Sequence, residues 1–226
     1  MSCVLPHSKH SPMPRNAPIG ALAQWSLDRT VAQADLAAFE ELTATHAELS
    51  ERDNILPFLR AHADLVALFG SYHPNISAYD RLGVEIPLGG YFIADAVIGD
   101  RARNAYCFVE YEDARIASVF ALRRQRTTEW AQRFEHGFSQ IVDWLWFLND
   151  QEATMTVEEQ FGPRPLDIVA VLVVGRDSGV VGIDRRRLRW RRDHVLVDSH
   201  HIYCCTYDDV VRELRARLAW AITPQE

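Results

Sequence analysis

The stretch Tyr91-Phe92-Ile93-Ala94-Asp95-Ala96-Val97-Ile98, followed across Gly99 to Asn104 by Tyr106-Cys107-Phe108-Val109-Glu110-Tyr111-Glu112, decides how the chain folds. Both halves are rich in β-branched and aromatic residues, and the link between them is short and polar. They therefore read as two strands, Leu88 to Ile98 and Ala105 to Tyr111, closed into a hairpin. Each strand carries acid at one end: Asp95 on the first, Glu110 and Glu112 on and just beyond the second. Residues that face each other on antiparallel strands lie about 5 Å apart at Cα, so a hairpin can bring these carboxylates together. Converging carboxylate oxygens are the ligands that Mg²⁺ prefers. A cation held there would offset the negative charge that develops when a phosphodiester is attacked by water. Glu110 directly follows an apolar run, where an acid costs desolvation energy unless positive charge compensates it. Acids at strand ends are also common as solvated turn residues.

Working outward, Thr127 to Asn149 reads as a helix with Phe134, Phe138, Ile141, Leu145 and Leu148 on one face. Gln140 shares the other face with Arg133, His136 and Asp143 or Trp144. A polar loop containing Gly162, Pro163 and Pro165 follows. Leu166 to Val174, an apolar run rich in β-branched residues, fits a central strand buried on both faces. His201 to Cys205 is the last strand, and Thr206-Tyr207-Asp208-Asp209 caps a C-terminal helix running to about Trp220. Upstream, Leu27 to about Ala47 is helical in pattern. Ser50, with Asp53 three residues on, caps a second helical stripe made by Ile55, Phe58, Leu59, Val66 and Leu68, with Pro57 bending it or marking its true start. Residues 1–20, rich in Pro, Ser and His, read as a disordered tail. The fold class is α/β, with a mixed sheet flanked by helices.

Composition narrows function by exclusion. No apolar run approaches the roughly 18 residues needed to cross a bilayer and no signal peptide is visible, so a cytoplasmic protein with no membrane partner is expected. The net charge of -7 argues against a protein that coats nucleic acid through overall positive charge, although a local basic patch can still grip phosphate. The only lysine is Lys9, which excludes a catalytic lysine from the folded part. Cys3, Cys107, Cys204 and Cys205 form no CxxC pair and read as reduced thiols. Cys204 and Cys205 point to opposite faces of a strand, which disfavours a shared zinc site with His194, His200 and His201. Asp208 and Asp209 are more simply helix-capping residues than catalytic acids.

The basic segment Arg185-Arg186-Arg187-Leu188-Arg189-Trp190-Arg191-Arg192 carries six arginines. Guanidinium groups bind phosphate bidentately and Trp190 can stack on an unpaired base, so Arg186, Arg187, Arg189 and Arg191 are the candidate nucleic-acid contacts. The bland alternative is a solvated basic helix or turn paired with acids or with a partner subunit.

Taken in order, five segments resemble the C-terminal nuclease domain of Shedu antiphage defence proteins. They are Ala94 to Ile98, Phe108-Val109-Glu110-Tyr111-Glu112-Asp113-Ala114, Phe134 to Trp144 with Gln140, Val173-Val174-Gly175-Arg176 and Thr206 to Asp209. The resemblance covers about residues 50 to 220 and rests on order and spacing. It implies a PD-(D/E)XK nuclease fold over 50–226, preceded by an N-terminal helical extension at 21–49. It also implies Mg²⁺- or Mn²⁺-dependent cleavage of DNA at Asp95, Glu110 and Glu112, assisted by Gln140. Glu51, a first-helix acid, joins Asp95 and Glu110 as a metal ligand in this reading. A homo-oligomer is implied too, and with so short a region ahead of the domain, a sensing module is expected either to be missing or to be supplied by another protein, a sensor or activator. One departure stands out, because the superfamily's usual lysine position holds Glu112. That leaves a second reading, in which the fold binds nucleic acid or a partner protein and cuts weakly or not at all.

Overall fold

In the computed structural model, residues 13–121, 128–151 and 154–220 are described. A seven-stranded sheet forms the centre, in the spatial order β1-β2-β3-β4-β5-β7-β6. Its strands are β1 (Ala23–Gln24), β2 (Arg81–Leu88), β3 (Phe92–Asp100), β4 (Ala105–Tyr111), β5 (Asp167–Val173), β6 (Leu196–Val197) and β7 (His200–Cys205). The first four pair antiparallel, β5 lies parallel to both β4 and β7, and β6 closes the edge antiparallel to β7. The expected hairpin is thus β3–β4, in register from Ala96 opposite Val109 to Asp100 opposite Ala105. Asn104 turns its corner in the left-handed region, at φ 50°.

Helices cover both faces, as the fold class requires. On one face lie α1 (Arg29–Thr45), α2 (Leu56–Ala61), α3 (Ala63–Leu68) and α7 (Tyr207–Trp220). Phe39, Leu65, Val66, Val210 and Leu214 from these helices pack there against Val109, Tyr111, Val171 and Val173. On the other face are α4 (Gln132–Gln151), α5 (Met155–Phe161) and α6 (Ile183–His194). Phe134, Ile141, Trp144 and Leu145 of α4 meet Tyr106, Phe108, Ala170 and Leu172 of the sheet. Cys204 and Cys205 are buried on opposite faces, each as a free thiol.

Several details differ from the sequence reading. A whole strand, β2, precedes the hairpin, and Leu88 ends it instead of opening β3. Its periodicity is masked by Gly83, by Pro87 and by a break at Glu85, which takes φ 53° where the β2–β3 ladder skips the Glu85–Asp95 position. The loop after α4 contains α5, capped by Thr154, whose Oγ1 accepts from the Val157 amide at 3.4 Å. The segment read as a tail is tied to the domain from Arg15 onward. The Ala17 amide donates to Arg60 O at 2.8 Å, the Ala63 amide to Arg15 O at 2.8 Å and the Val84 amide to Pro18 O at 2.8 Å. Residues 1–12 lie outside the described residues. The stretch read as a helical extension, 21–49, supplies β1 to the sheet and α1 to the core, where Leu36 and Phe39 are buried.

The second helical stripe is broken into pieces. Ser50 caps a π-helical turn, Glu51–Ile55, and α2 begins at Leu56 with Pro57 in its first turn. That position suits proline, whose missing N–H has no partner to lose there. At the other end of the chain, Thr206 and Asp209 cap α7 reciprocally, with the Asp209 amide donating to Thr206 Oγ1 at 3.1 Å and the Thr206 amide to Asp209 Oδ2 at 3.2 Å. Among the described residues no helix is long and apolar enough to cross a membrane.

Candidate metal centre

Asp95 sits where β3 leaves both of its ladders: the β2 pairing skips it and the β4 pairing stops at Ala96. Its side chain takes over the task of the missing strand partner, Oδ2 accepting from the Tyr111 amide at 2.9 Å. Glu110 lies beside it on β4, on the face occupied by Tyr106 and Phe108, and only 4% of its surface is exposed. Glu112, two residues on, is 1% exposed and is fixed through its main chain. Its amide donates to Val173 O at 2.9 Å, and its carbonyl accepts from Tyr207 Oη at 2.7 Å.

The helix α4 closes over these acids. Arg133 Nη1 donates to Glu112 Oε2 at 3.1 Å and approaches Glu51 Oε2 at 3.4 Å, while its Nε is 3.5 Å from Asp113 Oδ2. His136 Nδ1 is 2.7 Å from Glu112 Oε1. Gln140, one turn further, lies against the imidazole, its Nε2 3.1 Å from Nδ1 and 3.4 Å from Nε2. Helix and strand approach this closely because position 137 is glycine. A Cβ there would stand 2.6 Å from Leu172 Cδ1 and 3.0 Å from Glu112 Cγ. Glu51 is brought to the rim by the π-helical turn, whose first amide donates to Asp113 Oδ1 at 2.8 Å.

Arg133 faces Glu51, Glu112 and Asp113, and Arg115 Nε stands 3.5 Å from Asp113 Oδ2 on its outer side, so five carboxyls share two guanidinium groups and the electrostatics show the shortfall of positive charge. Burial, and then the neighbouring Asp95 charge, push the Glu110 carboxyl well above the usual carboxylate range. Burial likewise lifts Asp95 to about 7, only partly opposed by the Tyr111 amide. Glu51 is raised by burial and by the charge of Glu112. Arg133 is held above its ordinary value by Asp113, Glu112 and Glu51, although partial burial works against its charge. Glu110 Oε2 is buried and accepts from no donor, although buried polar atoms usually have a partner, and the hydrogen bond open to this carboxyl is the one it shares with Asp95. Oxygens of Glu110 and Glu112 and a ring nitrogen of His136 lie within 4.8 Å of one another, a spacing at which one cation can be held.

The structure therefore gathers Asp95, Glu110, Glu112, Glu51 and Gln140 at the C-terminal end of β4. Of these, Glu110 and Glu112 form the tight group with His136, Asp95 stands behind Glu110, and Glu51 forms the outer rim. Two neighbours had no role in the sequence reading beyond membership of the Gln140 stripe. Arg133 and His136 stand seven and four residues before Gln140 in the helical repeat, so their spacing was the available signal. Asp113 also belongs to the site, and adjacency to Glu112 was its only mark in the sequence.

The basic segment folds as α6, and its arginines divide. Arg187 donates to Thr128 O at 2.7 Å and lies over the Phe120 ring, 4.8 Å from its centroid. Arg191 makes a two-bond contact with Glu135 at 2.8 and 3.2 Å and covers the Phe138 ring at 4.1 Å. Both guanidinium groups are engaged within the fold, where their stems and planes pack on aromatic rings. Arg186 and Arg189 are exposed, next to Trp190, which is 60% exposed and stacks on His194. Through the Arg191–Glu135 contact this helix lies alongside the N-terminal half of α4, the part that carries His136.

A family model described as Shedu protein SduA, C-terminal, matches residues 48–211, which takes in every site residue named above. Comparison with curated proteins gives no match.

Proposed function

Since the chain belongs to the Shedu SduA C-terminal family over most of its length, we propose that it acts in antiphage defence as a metal-dependent endonuclease that hydrolyses DNA phosphodiester bonds on a PD-(D/E)XK-type fold. The observation that carries this reading is the buried Glu110 Oε2, unpartnered and set among carboxylates that have too few cations. A donor set of this kind fits a divalent ion, Mg²⁺ or Mn²⁺, with Glu110 and Glu112 as ligands and Asp95 at their back. Such an ion, when bound, supplies Lewis-acid neutralisation of charge at the phosphate.

The protein's own groups do the rest. Arg133 holds Glu112, Glu51 and Asp113 in place and provides a positive charge at the site that the lysine-free fold must find elsewhere. Gln140 steadies the His136 ring and has a polar group free to orient water or a phosphate oxygen. Arg186, Arg189 and Trp190 offer an exposed phosphate-binding and base-stacking face. A homo-oligomer, with a separate activating protein, belongs to the same proposal.

The test is cleavage of linear and supercoiled plasmid with Mg²⁺, with Mn²⁺ and with EDTA, for the wild type and Glu110→Ala. Metal-dependent cutting that disappears in the variant is the expected result. The engagement of Glu112 by Arg133 and His136 favours one alternative, a fold that binds DNA without cutting it. In that case no plasmid is cut, and DNA binding persists unchanged in Asp95→Ala.

A further inference from the structure

We infer that the metal centre is of mixed carboxylate and imidazole type, with His136 as a ligand beside Glu110 and Glu112, and that it takes a first-row transition ion in preference to Mg²⁺. This rests on the reading of the site as a metal centre and names the ion that the site selects. The donors of all three residues converge within 4.8 Å. His136 Nδ1 and Glu112 Oε1 are 2.7 Å apart, close to the spacing of about 3 Å between neighbouring donors around an octahedral ion with bonds of about 2.1 Å.

The second, independent observation is Glu110 itself: 4% exposed, with Oε2 unpartnered. It completes the set from the strand side. Arg133, which has no lone pair to offer, can only be counter-charge, so His136 is the nitrogen donor that the helix contributes. The ring is placed by structure on both sides. Gly137 lets α4 approach Glu112, and Gln140 braces the ring from the next turn. The ring is also 58% exposed, which leaves the outer side of the centre open to a substrate. Mg²⁺ takes oxygen ligands and dehydrates reluctantly, whereas imidazole strengthens the hold on transition ions. Replacing one oxygen donor by nitrogen therefore biases the site away from Mg²⁺.

Mn²⁺ alone serves as the probe, read by electron paramagnetic resonance, which counts free Mn²⁺ in a titration and detects nitrogen bound to the ion by its spin-echo modulation. In the wild-type chain one Mn²⁺ should bind with the modulation of a coordinated imidazole, and a large excess of Mg²⁺ should be needed to displace it. His136→Gln should lose the modulation and weaken Mn²⁺ by about tenfold or more. His136→Asp, which restores an oxygen donor, should keep the ion without the modulation and narrow the preference over Mg²⁺. His136 is exposed on α4, and an unchanged melting curve verifies the fold of each variant. Mn²⁺ binding that is lost in Glu110→Gln yet shows no imidazole modulation, or modulation that survives in His136→Gln, overturns the His136 assignment and leaves the nuclease reading standing. Equal competition by Mg²⁺ overturns the selectivity. If no Mn²⁺ binding depends on Glu110, both readings fall together.

Discussion

Glu110 is a carboxyl that the fold tolerates with difficulty when no cation is near. Its burial and the adjacent Asp95 favour the protonated form, so the pair should make metal-free stability depend on pH. In the unfolded chain Asp95 titrates near its ordinary value of 3.8, whereas in the fold it is raised to about 7. A raised folded value means that the folded state holds protons more tightly. The stability this confers is complete below about pH 4 and is lost as pH rises through about 7. Melting curves in EDTA should therefore fall across that window, and saturating Mn²⁺ should flatten the fall, because a cation stabilises the ionised pair. Glu110→Gln should raise the metal-free melting temperature at pH 8 by a few degrees, while cutting drops by about 100-fold or more. A variant that melts lower than wild type in EDTA at pH 8 would show that the acid has a supporting role in the fold.

At the level of elements, helix α4 brings His136 and Gln140 to the ends of the strands, and Gly137 sets how close it comes. In a solvated helix, Gly→Ala stabilises by about 1 kcal/mol. Here the added methyl meets Leu172 and Glu112, so Gly137→Ala should destabilise by about 1–3 kcal/mol and loosen metal binding, measured by denaturant unfolding and Mn²⁺ titration. Helix α6 makes the complementary point. Arg191→Ala removes the cover over Phe138 and the bond to Glu135, and should cost about 1–3 kcal/mol. Arg186→Ala with Arg189→Ala should leave stability within about 0.5 kcal/mol, weaken DNA binding and lower the slope of affinity against salt by about 1 per arginine. If the double variant binds DNA with an unchanged slope, the nucleic acid lies elsewhere. The contrast also shows what sequence could convey. The hairpin, α4 and the α7 cap were legible because periodicity and capping are local. The split among the arginines was not, because it depends on which aromatic rings arrive from residues 120 to 138. Strand β2 was hidden for a related reason: Gly83, Glu85 and Pro87 break its alternation just where the tertiary structure needs a kink. Asp95, Glu110 and Glu112 could be picked out because the hairpin juxtaposes its own two strands, whereas their joining to His136 depends on how a distant helix docks.

For the molecule as a whole, the N-terminal strap is part of the domain's stability. Arg15 donates to the fully buried Asp64 from Nε at 2.6 Å and also lies over the Trp25 ring. Arg15→Ala would leave Asp64 with the Asp28 amide, at 2.9 Å, in place of a charge, at a cost of about 3 kcal/mol in denaturant unfolding. A loss below about 0.5 kcal/mol would mean that the strap is only laid on the surface. The same integration bears on how the protein could be switched. Glu112 is anchored through its amide to Val173 and through its carbonyl to Tyr207, which ties the strand side of the centre to both a neighbouring strand and the opposite helical layer. Its amide should be among the slowest in the domain to exchange with deuterium, opening only when the domain itself opens. The partly exposed side chains of α4 have no such tether across the sheet. The floor of the site is thus a fixed reference, and the shape of the centre follows from the pose of the one helix that forms its ceiling.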